Sequence, residues 1–281
     1  YLQLFELRFS LPGFILRFPS VENPRGLPPY VDHRKLGQVF YEHAQWAKGL
    51  DVPDVGSLNR HIVDGTVGEL IRINEAQHER NFVHLADQIT REKGRIRLVL
   101  IAGPSSSGKT TFAQRLAIHL RVNGVKPVSI SLDDYFLDRE ATPRDENGDP
   151  DFEALETIDL ELFNDHLTAL ILGEEIEIPR FNFLTGKREY RGEYLKISYD
   201  QPIIIEGIHS LNERLTEMVP KDRKFKIYVS ALTQLNLDDH NRIPTTDNRL
   251  IRRIVRDSKY RSHDAAVTLR LWPAVRRGEE R

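Results

Sequence analysis

Five apolar residues, Leu98-Val99-Leu100-Ile101-Ala102, run straight into Gly103-Pro104-Ser105-Ser106-Ser107-Gly108-Lys109-Thr110-Thr111, and a helical pattern follows over 110–122. Glycine, four residues, glycine, lysine and a hydroxyl residue is the phosphate-loop spacing. Strand, loop and helix in that order is the context it requires. The glycines let the loop curl until successive backbone N–H groups converge on an anion, and the helix adds the positive end of its dipole. In that geometry Lys109 reaches the β- and γ-phosphates of a nucleoside triphosphate, and the Thr110 hydroxyl becomes a ligand for Mg²⁺. ATP and Mg²⁺ are the expected cofactors.

Around this motif the chain alternates short apolar runs with helical patterns. The runs fall at 97–102, 128–132, 202–205 and 225–229, and the helices at 110–122, 160–172, 210–218 and 247–260. Apolar runs of this length, bounded by Gly or Pro, are strands buried on both faces, and their alternation with helices implies a parallel sheet. The expected class is α/β, a P-loop NTPase-type parallel sheet flanked by helices, preceded by a smaller α+β domain. That first domain is read as residues 1–94, with two strands turning at Pro12-Gly13 and helices over 35–50 and 67–91. The charged, glycine-closed stretch Arg91-Glu92-Lys93-Gly94-Arg95 is read as the boundary, leaving 95–281 for the phosphate-loop domain.

Composition narrows the classes of partner. Forty basic against 42 acidic side chains give a net charge of −2, which argues against DNA and other generic polyanions. No apolar run approaches the ~20 residues that span a bilayer. There is no cysteine, so thiolate metal sites and cysteine nucleophiles are excluded. The apolar start is broken by Glu6, Arg8 and Arg17 and does not read as a signal peptide, so cytoplasm is the default location. The only methionine is Met218. Residue 1 is therefore read as an internal position of a longer protein. The 10 histidines form no metal-binding spacing, and His209 is read as a loop residue rather than a base.

Two further strand ends carry carboxylates. Val128-Ser129-Ile130-Ser131-Leu132 delivers Asp133-Asp134-Tyr135-Phe136, and Ile203-Ile204-Ile205 delivers Glu206-Gly207. In a parallel sheet the carboxyl ends of the strands share the ligand face. Asp133 is expected to orient an acceptor hydroxyl, and Glu206 to hold Mg²⁺ or its water. A weak base of reference pKa ~4 suffices where the transition state is loose and the proton leaves late.

With these pieces in place, residues from about Arg95 to Arg261 resemble the uridine kinase/phosphoribulokinase family of small-molecule kinases. The likeness rests on the phosphate loop, Ser131-Leu132-Asp133-Asp134-Tyr135-Phe136, Ile178-Pro179-Arg180-Phe181-Asn182-Phe183, Glu206-Gly207-Ile208 and Arg249-Leu250-Ile251-Arg252-Arg253-Ile254-Val255-Arg256-Asp257. It implies that Asp133 is the catalytic base, that Glu206 is the Mg²⁺-associated acid and that Glu153 meets ribose hydroxyls. It also marks a departure. Where uridine kinases carry a tyrosine and then a histidine at the base-recognition hairpin, this chain has Phe181 and Gly186. Phe181 can stack on a base but has no phenol.

Arg249, Arg252, Arg253 and Arg256 fall at i, i+3, i+4 and i+7, one face of a helix, with Leu250, Ile251, Ile254 and Val255 opposite and Asp247 as N-cap. Four like charges on one face call for an anion. The family likeness sets such arginines over the transferring phosphate and the substrate, with Arg249 and Arg252 the leading choices. Lys259 and Arg261 are read as part of a closing lid. Near the start, Phe14-Ile15-Leu16-Arg17-Phe18-Pro19, with Leu36, Phe40 and Trp46, resembles the tail of a threonyl-tRNA-synthetase-like module. It carries no metal-ligand pattern and hence no expected editing activity. The end at Gly278-Glu279-Glu280-Arg281 is read as falling before the last segment that such kinases usually carry.

The leading expectation is an ATP-dependent phosphotransferase acting on a nucleoside 5′-hydroxyl. Two alternatives stay open: a kinase of another small alcohol such as a sugar phosphate, and a nucleotide-gated regulatory protein linked to RNA through the N-terminal module. Homo-oligomerisation is also left open.

Overall fold

The computed structural model describes residues 4–10, 13–21, 23–144, 148, 151–233 and 235–280. Pro12, half of the turn expected at Pro12-Gly13, lies outside them. By packing, the chain divides into Tyr1–Arg72 with Thr233–Ile243, and Ile73–Leu232 with Pro244–Arg281.

The first unit opens with antiparallel β1 (Glu6–Ser10) and β2 (Gly13–Arg17), in which Glu6 faces Arg17 and forms an ion pair with it. α1 (Arg34–Gly49) follows, then α2 (Val55–Val63), which starts at Asp54. The Asp54 carboxylate accepts the Ser57 amide at 2.7 Å and so caps the helix. The segment 233–243 belongs here because Asn236 O accepts the Val55 amide at 3.0 Å and the Arg242 guanidinium lies 4.6 Å from the Phe40 ring.

α3 (Val67–Arg91) crosses the division. The packing boundary therefore falls inside a helix, earlier than the Gly94 that the charge pattern suggests. The physical reason is that Phe82, Ala86 and Ile89, on the last turns of α3, join the core of the second unit.

That core is built on β3 (Leu98–Ala102), β4 (Val128–Ser131), β7 (Ile203–Glu206) and β8 (Lys224–Tyr228), a four-stranded sheet in the order β4-β7-β3-β8 whose neighbours all run parallel. β3 and β7 are buried along their whole length. Period-two alternation sends Leu98 and Leu100 to one face and Val99 and Ile101 to the other, which is why these strands read as unbroken apolar runs. α5 (Leu160–Leu172) covers the first face through Phe163, Leu167 and Leu170. α4 (Lys109–Val122), with the end of α3, covers the second through Ala113, Leu116 and Leu120. The antiparallel hairpin β5 (Ile176–Asn182) and β6 (Lys187–Leu195), then α6 (Thr245–Tyr260) and α7 (Ala265–Glu280), complete the unit.

Two expected elements differ. The helix read at 210–218 is only a single 3₁₀ turn, Glu213–Leu215. There the Asn212 side chain accepts the Arg214 amide at 3.0 Å and competes with helical pairing, while Leu215 and Val219 still reach the core. α6 starts two residues before the expected cap, with Pro244 O accepting the Asp247 amide at 3.1 Å, so Asp247 lies in the first turn. Among the described residues no helix is long and apolar enough to cross a membrane.

Candidate active site

The register of the parallel strands brings three distant segments to one edge of the sheet. Ile101 faces Glu206 and Ser131 faces Glu206, so the ends of β3 and β4 flank the end of β7. At the end of β3 the chain turns at Gly103, where an added Cβ would stand 1.9 Å from Val229 O, so no side chain fits. Ser106 (φ 60°) and Gly108 (φ 101°) take left-handed conformations, the local reversals that turn backbone N–H groups to one side of a loop. α4 begins at once with Lys109, whose Nζ donates to Pro104 O at 3.3 Å. Burial pulls the Lys109 pKa down, opposed by the charges of Asp133, Glu206 and Glu153.

Thr110 Oγ1 donates to Glu206 Oε1 at 3.1 Å, and Ser131 Oγ donates to the same oxygen at 2.9 Å. Burial raises the Glu206 pKa, and the nearby Asp133 raises it further. A buried acid held by two hydroxyls and pushed up by a second acid is a site that a divalent cation would relieve. The hydroxyls of Ser106 and Ser107 in the loop are buried without a partner among the described residues. The donor set thus fits Mg²⁺ with a phosphate chain, since Mg²⁺ takes few protein oxygens and fills its shell with water and phosphate.

Asp133 and Asp134 occupy the 3₁₀ turn Leu132–Tyr135 after β4. Asp133 lines the cavity, whereas Asp134 accepts from Arg180 Nη1 at 2.9 Å and from the Phe181 amide at 3.3 Å. The first aspartate is available for chemistry and the second fastens the β5–β6 hairpin. The close approach of β7 to this turn requires Gly207, where a Cβ would be 2.7 Å from Leu132 Cβ.

These groups open into a cavity of about 330 Å³. Ser105, Lys109, Thr110, Asp133, Glu206 and Glu153 are among the polar residues that line it. Burial lifts the Glu153 carboxyl to about 7, with Arg253 working against the rise. Its backbone carbonyl takes the ring of His209 at 2.9 Å, a structural contact for that histidine. Of its aromatic lining, Phe181 meets Phe136 and Phe183 edge to face, with centroids 5.6 and 5.2 Å apart.

The arginines divide in a way that periodicity does not reveal. Arg253, Arg256 and Arg261 line the cavity, and Asp257 at their centre approaches them at 3.3, 2.8 and 3.9 Å. Arg249 and Arg252, the leading choices from sequence, grip the phosphate loop instead. Arg249 Nε donates to Ser105 O at 3.1 Å and Arg252 Nε to Ser106 O at 2.9 Å. Glu279, from α7, pairs with Arg249 and accepts the Ser105 amide at 2.8 Å. Lys259 is exposed, and only Arg261 of the expected lid pair reaches the cavity. Sequence reasoning also missed Arg139, Phe136, Phe183 and Glu279. Phe136 and Phe183 stand inside motifs already singled out, while Arg139 and Glu279 carry no local signal.

Residues 98–277 match the model of the Phosphoribulokinase / Uridine kinase family. A uridine kinase of Schizosaccharomyces pombe is 33% identical over 177 residues, 62% of this chain and 35% of that protein. A uridine kinase of Halobacterium salinarum is 28% identical over 157 residues, covering 56% of this chain and 60% of its own length. The chain thus spans less than two thirds of either relative. A solved structure from Silicibacter sp. TM1040, provisionally named a fructose transport system kinase, superposes with a TM-score of 0.51 at 20% identity, over 71% of this chain and 94% of that one. That likeness speaks for the fold alone. With the loop, the two strand-end acids and a family match across most of the second unit, the chain belongs to the phosphoribulokinase/uridine kinase family.

Proposed function

We propose that the chain is an ATP-dependent small-molecule kinase that phosphorylates a nucleoside 5′-hydroxyl. The observation that carries this reading is the meeting of Lys109, Thr110, Asp133 and Glu206 in one cavity. The loop amides and Lys109 bind the ATP phosphates. Thr110 and Glu206 would hold Mg²⁺, which when bound neutralises phosphate charge. Asp133 accepts a hydrogen bond from the acceptor hydroxyl, aligns its oxygen with the γ-phosphorus and takes the proton late in transfer. Arg253, Arg256 and Arg261 stabilise the charge spreading over the moving phosphoryl group. Glu153 and the aromatic wall hold the acceptor, and the named relatives support a nucleoside in that place.

The test is incubation with labelled ATP and a panel of nucleosides, sugars and acids, alongside Asp133→Asn. Labelled nucleoside monophosphate is expected from the parent chain. The variant should lose ~10²-fold or more in turnover with ATP affinity retained. Turnover that persists in the variant removes Asp133 from the mechanism. ATP binding with no labelled product from any acceptor would instead indicate a nucleotide-gated binding protein.

A further inference from the structure

Gly186 lies in the β5–β6 turn at φ +69°, and a Cβ built there would be 2.8 Å from Arg139 Nε and 2.9 Å from its Cζ. The Arg139 guanidinium therefore fills the volume that a side chain at 186 would need. Its Nη2 donates to Phe183 O at 3.1 Å, and the backbone amide of Arg139 ties the residue to the turn by donating to Gly186 O at 2.8 Å. Among the described residues no carboxylate is within pairing distance of this guanidinium, in contrast to Arg253, Arg256 and Arg261 around Asp257. Arg139 lines the same cavity as Phe136, Phe181 and Phe183, and as Asp133 and Lys109.

We propose that Arg139 is the specificity-determining residue for the acceptor, reading the edge of a ring laid against Phe181. The inference rests on the nucleoside-kinase reading above and sharpens it. A guanidinium offers donors only, so it pairs with an edge of adjacent acceptors and is opposed by an edge that presents its own N–H. Cytosine offers O2 and unprotonated N3 side by side. Uracil offers O2 beside N3–H. The donor-only fork selects cytidine over uridine. A phenol or an imidazole can donate or accept and would tolerate both, so the pairing of Gly186 with Arg139 narrows what the pocket takes.

The experiment is initial-rate kinetics with ATP and either cytidine or uridine. It compares the unaltered chain, Arg139→Ala, Arg139→Gln and Gly186→Ala, with ATP affinity of each measured by calorimetry. The unaltered chain is expected to favour cytidine by about tenfold or more in kcat/KM. Arg139→Ala should bring the ratio toward unity through the cytidine KM, with ATP affinity kept. Arg139→Gln, whose amide both donates and accepts, should move preference toward uridine. Gly186→Ala keeps the arginine but crowds it aside, and should shift the ratio as Arg139→Ala does. Equal use of both nucleosides by the unaltered chain, or a ratio unmoved by Arg139→Ala and Gly186→Ala, overturns the role of Arg139 while leaving a nucleoside kinase. Phosphorylation of no nucleoside by an ATP-binding chain overturns the kinase reading, and this inference with it.

Discussion

Asp133 and Asp134 stand side by side in sequence and part in space. One lines the cavity, and the other is consumed by Arg180 and the Phe181 amide. The strand-end position of the pair was readable from the apolar run before it. Which member faces the ligand depends on a hairpin more than forty residues further on, and no local pattern encodes that. Glu153 gives a titratable consequence at the same scale. Its carboxyl sits at about 7 against an ordinary 4.5, because burial disfavours the charged form. Between those values the folded protein holds a proton that the unfolded chain has released, so stability falls as pH rises through the window. Glu153→Gln should therefore melt above the parent at about pH 8 and close to it at about pH 4.5, as scanning calorimetry at both values would record. Equal melting at the higher pH would mean that Arg253 already compensates the charge. At Gly103, substitution by alanine drives Cβ into Val229 O. Nucleotide binding is expected to vanish in calorimetry even where circular dichroism shows a folded chain.

Among the elements, α1, α3, α4 and α5 follow the apolar periodicity of their sequences closely. α2 and α7 were not anticipated: the first is short and is signalled chiefly by its Asp54 cap, and the second carries Pro273 inside it. α6 is the instructive case. Its arginine face turns inward, with Arg249 and Arg253 buried, while Ile251 and Val255 on the apolar face are more than half exposed. The rule that apolar faces go inward fails because the phosphate loop presents carbonyl oxygens and a serine hydroxyl that guanidinium groups satisfy. The division of roles along α6 predicts distinct kinetics. Arg252→Ala, which releases the Ser106 carbonyl, should raise the KM for ATP several-fold and leave kcat near the parent value. Arg256→Ala, in the cavity, should cut kcat by ~10²-fold or more. Steady-state kinetics of the two variants side by side would reveal it, and matching profiles would contradict the assignment.

For the whole molecule, the parallel sheet is what turns three remote stretches of sequence into one site. The fold class was legible because strands buried on both faces leave unbroken apolar runs. The division between the units was less so, since helical periodicity runs through α3 without marking where its packing partners change. The sheet also sets the main energetic dependence. Leu100, 1% exposed at the centre of β3, is packed on a face shared with α5. Leu100→Ala is expected to cost about 2–5 kcal/mol in urea unfolding, from lost transfer energy and the cavity left behind. A change below about 1 kcal/mol would mean that the sheet collapses into the void more readily than rigid interiors do.

The guanidinium tethers from α6 to the phosphate loop, made by Arg249, Arg252 and Arg253, have a thermodynamic corollary. The helix whose Arg253 and Arg256 line the cavity is fastened to the loop that, on the proposed function, would receive the nucleotide. A ligand that settles the helix must alter the free energy of the loop, and by linkage the two affinities shift by one common factor. Occupancy on either side of those tethers would thus retune the other, reciprocally and to the same degree.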